Sequence, residues 1–260
     1  MTFQLSALAE LPSAISLEAR ERVFLISDLH LWQDRPQTFE RFRACVERAR
    51  READALVILG DLFEYWAGDD DLDAPAIAPV IATLRAAADA GLLITFMHGN
   101  RDFLAGASFA RAARLRMLAD PCLIQVGRQR LLASHGDALC TDDLEYQRFR
   151  AQVRDPQWQT RFLAQPLAQR HAIIADLRAR SEDRKARAPQ AIMDVNDQAV
   201  ADWFERYRVD LLVHGHTHRP GRHVSGQGTR WVLPDWEYDE TPQRGGGLIV
   251  DAKTVTPFDA

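Results

Sequence analysis

VFLISDLH, residues 23–30, is an apolar run that breaks into an acid and a histidine. The run predicts a strand, and Asp28 and His30 fall just past its C-terminal end. The same pattern recurs down the chain. ALVILG (55–60) leads into Asp61, LLITFM (92–97) into His98-Gly99-Asn100, and RLLAS (130–134) into His135-Gly136-Asp137. DLLVH (210–214) runs into Gly215-His216-Thr217-His218. Further strands are predicted at CLIQV (122–126), RWVL (230–233) and GLIV (247–250).

Between the early strands lie helical patterns. Phe39, Phe42, Val46 and Ala49 share one face, and Ile77, Val80, Ile81, Leu84 and Ala88 another, with Gly91 as a C-cap. Strand–helix alternation predicts an α/β domain, and the hairpin-like QVGRQRLL (125–132) predicts mixed sheets. A single Asp, Gly-Asn or His at a strand end is ordinarily a cap, a turn or a structural residue. Here five strands end this way, and besides His98 five of the eight histidines, His30, His135, His214, His216 and His218, fall at such ends. Ligand sites collect at the C-terminal edges of strands in α/β sheets, and carboxylate, amide and imidazole together suit Mn, Fe, Zn or Mg.

The chain has 260 residues, 47% of them hydrophobic, enough for one full core with an insertion. No apolar run reaches the roughly 20 residues of a membrane span. The N-terminal stretch has no basic leader pattern and carries Glu10, so a cytoplasmic chain is expected. Cys45, Cys122 and Cys140 are odd in number and far apart, which predicts buried thiols rather than disulfides or a thiolate zinc site. The net charge of −5 is uneven, because residues 144–190 hold ten Arg or Lys against five acids. The default reading of such a run is a solvated helical face; the functional reading is a surface for an anionic ligand or lipid headgroups. From about 142 to 205 no strand is predicted. The stretch is helical, broken at Pro156, Pro166 and Pro189, with Trp158, Phe162, Leu163, Leu167, Ile173, Ile174 and Leu177 as its apolar side. It reads as a helical lid inserted between two strands.

Taken as blocks, Asp28-X-His30, Gly60-Asp61, Gly99-Asn100, His135-Gly136-Asp137 and Gly215-His216-X-His218 resemble the calcineurin-like metallophosphoesterases. The resemblance implies an αββα sandwich of two mixed sheets over 23–260, with residues 1–22 as a dispensable extension. It implies two divalent ions, Mn²⁺ expected. One would be held by Asp28, His30, Asp61 and His216, the other by Asp61, Asn100, His135 and His214, with His218 as a neighbour. Two such ions lower the pKa of a water and clamp phosphoryl oxygens, and activity should fall in acid as histidines protonate.

In many relatives a histidine follows Gly-Asn; here Arg101 does, a poor proton donor but a good fork for phosphate oxygens. GDLFEYWAGDDD (60–71), HGNRDFL (98–104), HGDALCTDD (135–143), AIMDVN (191–196) and HGHTHRP (214–220) are similar to the branch that cleaves UDP-2,3-diacylglucosamine in lipid A synthesis. This implies attack on the phosphorus next to uridine, giving UMP and the diacylglucosamine 1-phosphate. Asp61 would bridge the metals, Arg101 stabilise phosphoryl charge and His214 lie near the leaving oxygen. Substrate contacts would fall to Asn100, Arg101, Asp143, Ser181, Lys185 and His214, with Lys185 and Ala188 replacing the branch's Asn and Lys. Trp158, Phe162, Leu163, Ile173 and Ile174 would line an acyl chamber or simply pack the lid on the core. The expected partners are this lipid-linked nucleotide sugar and the cytoplasmic face of the inner membrane, with a monomeric, peripheral enzyme and no nucleic acid. A broader phosphodiesterase would want a wider basic track; a metal-free scaffold or a membrane-surface module would leave the ligand set unexplained.

Overall fold

The computed structural model describes residues 17–19, 21–187 and 194–260, and for 180–187 the backbone alone. Pro189 and the start of AIMDVN lie outside the described residues. In chain order the strands are β1 (Leu17–Ala19), β2 (Arg22–Ile26), β3 (Ala55–Leu59), β4 (Leu93–Met97), β5 (Arg116–Leu118), β6 (Cys122–Val126), β7 (Gln129–Ser134), β8 (Leu211–His214), β9 (Gly221–Val224), β10 (Thr229–Val232), β11 (Gly247–Asp251) and β12 (Val255–Phe258). The helices are α1 (Pro36–Glu52), α2 (Ala78–Asp89), α3 (Ala107–Ala113), α4 (Leu144–Val153), α5 (Pro156–Leu163), α6 (Leu167–Arg187) and α7 (Asp197–Tyr207).

One sheet has the order β12-β11-β2-β3-β4-β5 and the other β1-β6-β7-β8-β10-β9. Both are mixed: β2 to β5 are parallel with β11 antiparallel beside β2, while β6–β7 is the hairpin expected from QVGRQRLL. The sheets pack face to face. Val23, Leu25, Val57 and Leu59 meet Ile124, Leu131, Ala133 and Val213 between them. The alternate residues Phe24, Ile26, Leu56 and Ile58 pack outward on α1, α2 and α3. Burial on both faces is why these strands read as unbroken apolar runs. All three cysteines are buried and free, and burial pushes each thiol up to about 12.

Two expected boundaries change. Leu17–Ala19 pairs in parallel with Ile124–Val126, and both Leu17 and Ala19 are buried. The N-terminal stretch therefore contributes an edge strand, which three residues are too few to announce by periodicity. At the other boundary, α7 is no part of the lid. Asn196 caps it, and Val200, Phe204 and Tyr207 pack on Leu123, Leu132 and Leu212, so it forms the outer layer of the second sheet. The lid proper is α4, α5 and α6.

Its basic residues are not simply a solvated face. Arg170 is 2% exposed and reaches inward from α6 to the Asp70 carboxylate and the Ala67 carbonyl. Arg150 donates to Asp137 at 2.8 Å, and Arg154 donates to the Gly99 carbonyl at 3.1 Å. Four of the arginines counted as lid charge thus tie the lid to the sandwich, the fourth being Arg178, which pairs with Glu64. Among the described residues no helix is long and apolar enough to cross a membrane.

Removing residues 2–19 deletes a fully packed leucine, worth roughly 2–3 kcal/mol. The urea midpoint is expected to fall accordingly; an unchanged midpoint contradicts the β1 pairing.

Candidate metal centre

The site sits where β2, β3, β4, β7 and β8 end. Its loops are tightly bent. Asp28, His30, Asp61, His216 and His218 all take positive φ between 49° and 68°, a region non-glycine residues rarely occupy. The loops after β3 and β4 touch so closely that a Cβ on Gly60 would stand 2.5 Å from the Gly99 Cα, and one on Gly99 2.1 Å from Asp61 Oδ1. Only glycine fits at either position. Asp102, fully buried, holds the two loops together by accepting the backbone N–H groups of Leu62 at 2.8 Å and Gly99 at 2.9 Å. The sequence reading passed over Asp102, although it stands two residues after Asn100 in HGNRDF; a lone Asp in a turn gives no signal of which backbone it will bond.

Asp61 is the centre of the arrangement. It is 2% exposed, and its two oxygens face opposite histidines: Oδ2 lies 3.9 Å from His30 Nε2 and Oδ1 lies 3.8 Å from His135 Nε2. On the His30 side stand Asp28 and His218. His218 Nε2 is 3.4 Å from both Asp28 Oδ1 and His30 Nε2. On the His135 side stand Asn100 and His216, with Asn100 Oδ1 3.0 Å from His135 Nε2 and 2.8 Å from His216 Nδ1. Asp28, His30 and His218, and likewise Asp28, Asp61 and His135, offer ligand atoms within 4.8 Å of one another.

The expected ligand set is thus brought together except for one residue. His214 does not reach the cluster. It is the last residue of β8, and the pleat points it the same way as Leu212, toward the α7 side of the sheet. There Nδ1 meets the Gly215 carbonyl at 2.8 Å and Nε2 meets Arg230 at 3.1 Å. The metal, catalytic and substrate roles expected of His214 are therefore corrected. His216 and His218 follow the strand in left-handed turns, free of the pleat, and both rings swing into the site. His216 takes the place expected of His214, and His218 that expected of His216.

The electrostatics favour a cation. Asp28 and Asp61 are buried, and Asp28 Oδ1 has no hydrogen-bond partner. Burial opposes protonation of His135, yet the Asp61 and Asp28 carboxylates push it up to about 9. Burial holds His216 down to about 3, as a neutral ligand requires. A buried carboxylate oxygen without a donor, ringed by imidazoles and an amide oxygen, fits a divalent ion.

Arg101 lies beside the cluster. Its backbone N–H donates to Asp61 Oδ1 at 2.8 Å, and Asn100 and Arg101 both line a cavity of about 260 Å³. The far wall is apolar lid: Trp158, Phe162, Ile174 and Leu177. Leu163 is instead 40% exposed, and Ile173 packs on the core. Asp143 caps α4 by accepting the Tyr146 N–H at 3.0 Å, while Tyr146 itself lines the cavity and bonds Asp137 at 2.9 Å. Ser181 and Lys185 stand on the last turns of α6, and their side chains, like Ala188, lie outside the described residues.

Comparison with known proteins agrees with the family that the motifs resemble. Residues 21–220 match the calcineurin-like phosphoesterase family. The chain is 52% identical over 221 residues to the UDP-2,3-diacylglucosamine hydrolase of Aromatoleum aromaticum, covering 84% of this chain and 89% of that protein. The protein of the same name from Chromobacterium violaceum is 48% identical, covering 88% and 94%. That from Ralstonia nicotianae is 42% identical, covering 96% and 98%.

Burial of His214 pushes it down to about 4 from the ordinary 6.5. As pH falls through that window, the unfolded chain takes a proton that the folded chain refuses, so stability drops. His214→Gln is expected to flatten the melting-temperature profile between pH 6.5 and 4 while Mn²⁺ binding survives. Loss of Mn²⁺ binding in this variant would return His214 to the metal site.

Proposed function

We propose a function from the premise that this chain belongs to the calcineurin-like phosphoesterase family: hydrolysis of UDP-2,3-diacylglucosamine to UMP and 2,3-diacylglucosamine 1-phosphate in lipid A synthesis. The observation that carries this reading is the continuity of one cavity, from Asn100 and Arg101 beside the acid–histidine cluster to the apolar lid wall of Trp158, Phe162, Ile174 and Leu177. A simple phosphodiester needs the first end only. A diacylated nucleotide sugar needs both.

Two divalent ions, Mn²⁺ in this reading, fit the donors: Asp28, His30 and His218 for one, Asn100, His135 and His216 for the other, with Asp61 serving both. When bound, such a pair supplies Lewis acidity to the phosphoryl oxygens and makes water nucleophilic near neutral pH. The chain's own groups do the rest. Arg101 offers a fixed guanidinium to the phosphoryl charge that grows in the transition state. No general acid is needed for a leaving group that is itself a phosphate ester, which suits an arginine at this position. Asp102 fixes the loops that carry Asp61 and Asn100. Trp158, Phe162 and their neighbours exclude water and take acyl chain. In this reading the enzyme is a monomer and works as a peripheral protein at the inner-membrane surface, where a lipid substrate would be met.

The reading is tested by incubating purified protein and Mn²⁺ with UDP-2,3-diacylglucosamine, UDP-N-acetylglucosamine and bis-p-nitrophenyl phosphate. UMP is expected from the acylated substrate and not from UDP-N-acetylglucosamine. Equal release from both sugars overturns the role of the lid. Arg101→Ala is expected to lower kcat by roughly 10²-fold with Mn²⁺ binding retained, and His218→Ala to lose one of two bound Mn²⁺. Retention of both ions in His218→Ala would contradict the ligand set.

A further inference from the structure

Glu64 lies within GDLFEYWAGDDD but received no role there, and it makes three contacts at once. It stands three residues past Asp61, and its backbone N–H donates to the Leu31 carbonyl at 3.2 Å, which fixes it against the loop that carries His30. One carboxylate oxygen, Oε2, lies 3.2 Å from His30 Nδ1, an ion-pair contact whose angle falls short of a hydrogen bond. The other, Oε1, lies 4.0 Å from Arg101 and pairs with Arg178 of lid helix α6. Its side chain is 18% exposed, enclosed by these groups. The guanidinium of Arg178 also lies 5.5 Å over the Tyr65 ring, which steadies it from the other side.

The contact to His30 decides what that imidazole can do. Nε2 faces Asp61 and His218, and Nδ1 faces Glu64. A neutral imidazole carries one N–H. A carboxylate at Nδ1 draws the proton there and leaves the Nε2 lone pair directed into the cluster, the tautomer a metal ligand needs. The same carboxylate receives charge from the lid and from the residue that meets phosphate, so ring orientation, Arg101 and lid helix share one anchor.

We propose that Glu64 is a positioning residue that orients His30 for metal binding and, through Arg178, holds the lid helix against the metal site. This rests on the reading of His30 as a ligand under Proposed function. Glu64→Ala removes both contacts. Glu64→Gln keeps an acceptor for the Nδ1 hydrogen and loses the charge that holds Arg178.

The experiment measures Mn²⁺ affinity by calorimetry, the melting temperature of the metal-free protein, and KM for UDP-2,3-diacylglucosamine and for bis-p-nitrophenyl phosphate. Wild type, Glu64→Ala, Glu64→Gln and His30→Ala are compared. Glu64→Ala is expected to weaken Mn²⁺ binding roughly 10- to 100-fold, and Glu64→Gln to weaken it less. Both are expected to raise KM for the acylated substrate more than for the small diester. Unchanged Mn²⁺ affinity in Glu64→Ala, with loss in His30→Ala, overturns the proposal and leaves the metal site standing. Unchanged affinity in His30→Ala as well overturns the reading of the site itself. A fall in melting temperature alone, with affinity and both KM values unmoved, makes Glu64 merely structural and also overturns the proposal.

Discussion

The Asp61 carboxylate, sealed from water with each oxygen turned to a different histidine cluster, sets the terms for everything around it. A buried anion is expensive unless it is matched by positive charge and hydrogen bonds. Asp28 stands beside it, equally buried, with one oxygen lacking a donor. Two such groups side by side are tolerable only in a site built for cations. The strained backbone follows from the same demand, since five residues with positive φ are the means of turning ligands from separate strands toward one point. Glycine at 60 and 99 lets the two loops meet there.

The lid is joined to this centre by charge rather than merely laid over it. Arg150 meets Asp137, Arg154 meets the Gly99 carbonyl, Arg170 meets Asp70 and Arg178 meets Glu64. Each arginine reaches a loop that follows a central strand. Asp137 lies two residues past His135 in sequence and Glu64 contacts His30, so the helices carrying the apolar wall are registered against the residues that do the chemistry. A cavity that is polar at one end and apolar at the other results from that registration.

Much of this was legible in the residues. The two-faced strands announce themselves as apolar runs, because both faces are covered, and each ligand follows such a run. What failed to show has physical causes. The edge strand Leu17–Ala19 is too short for any period. Helix α7 looks like lid in sequence, because a helix gives no sign of which surface its apolar face will cover. His214, His216 and His218 are alternatives at equal spacing, and only the end of β8 decides among them: His214 obeys the pleat, and the other two escape it. Glu64 and Asp102 act through groups distant or unmarked in sequence, one through an imidazole and two arginines, the other through backbone N–H groups.

The most direct test is anomalous diffraction from crystals grown with Mn²⁺, collected on either side of the manganese edge. Two peaks are expected, both in contact with Asp61, one also with Asp28, His30 and His218 and the other with Asn100, His135 and His216. A single peak, or a peak coordinated by His214, would contradict the account.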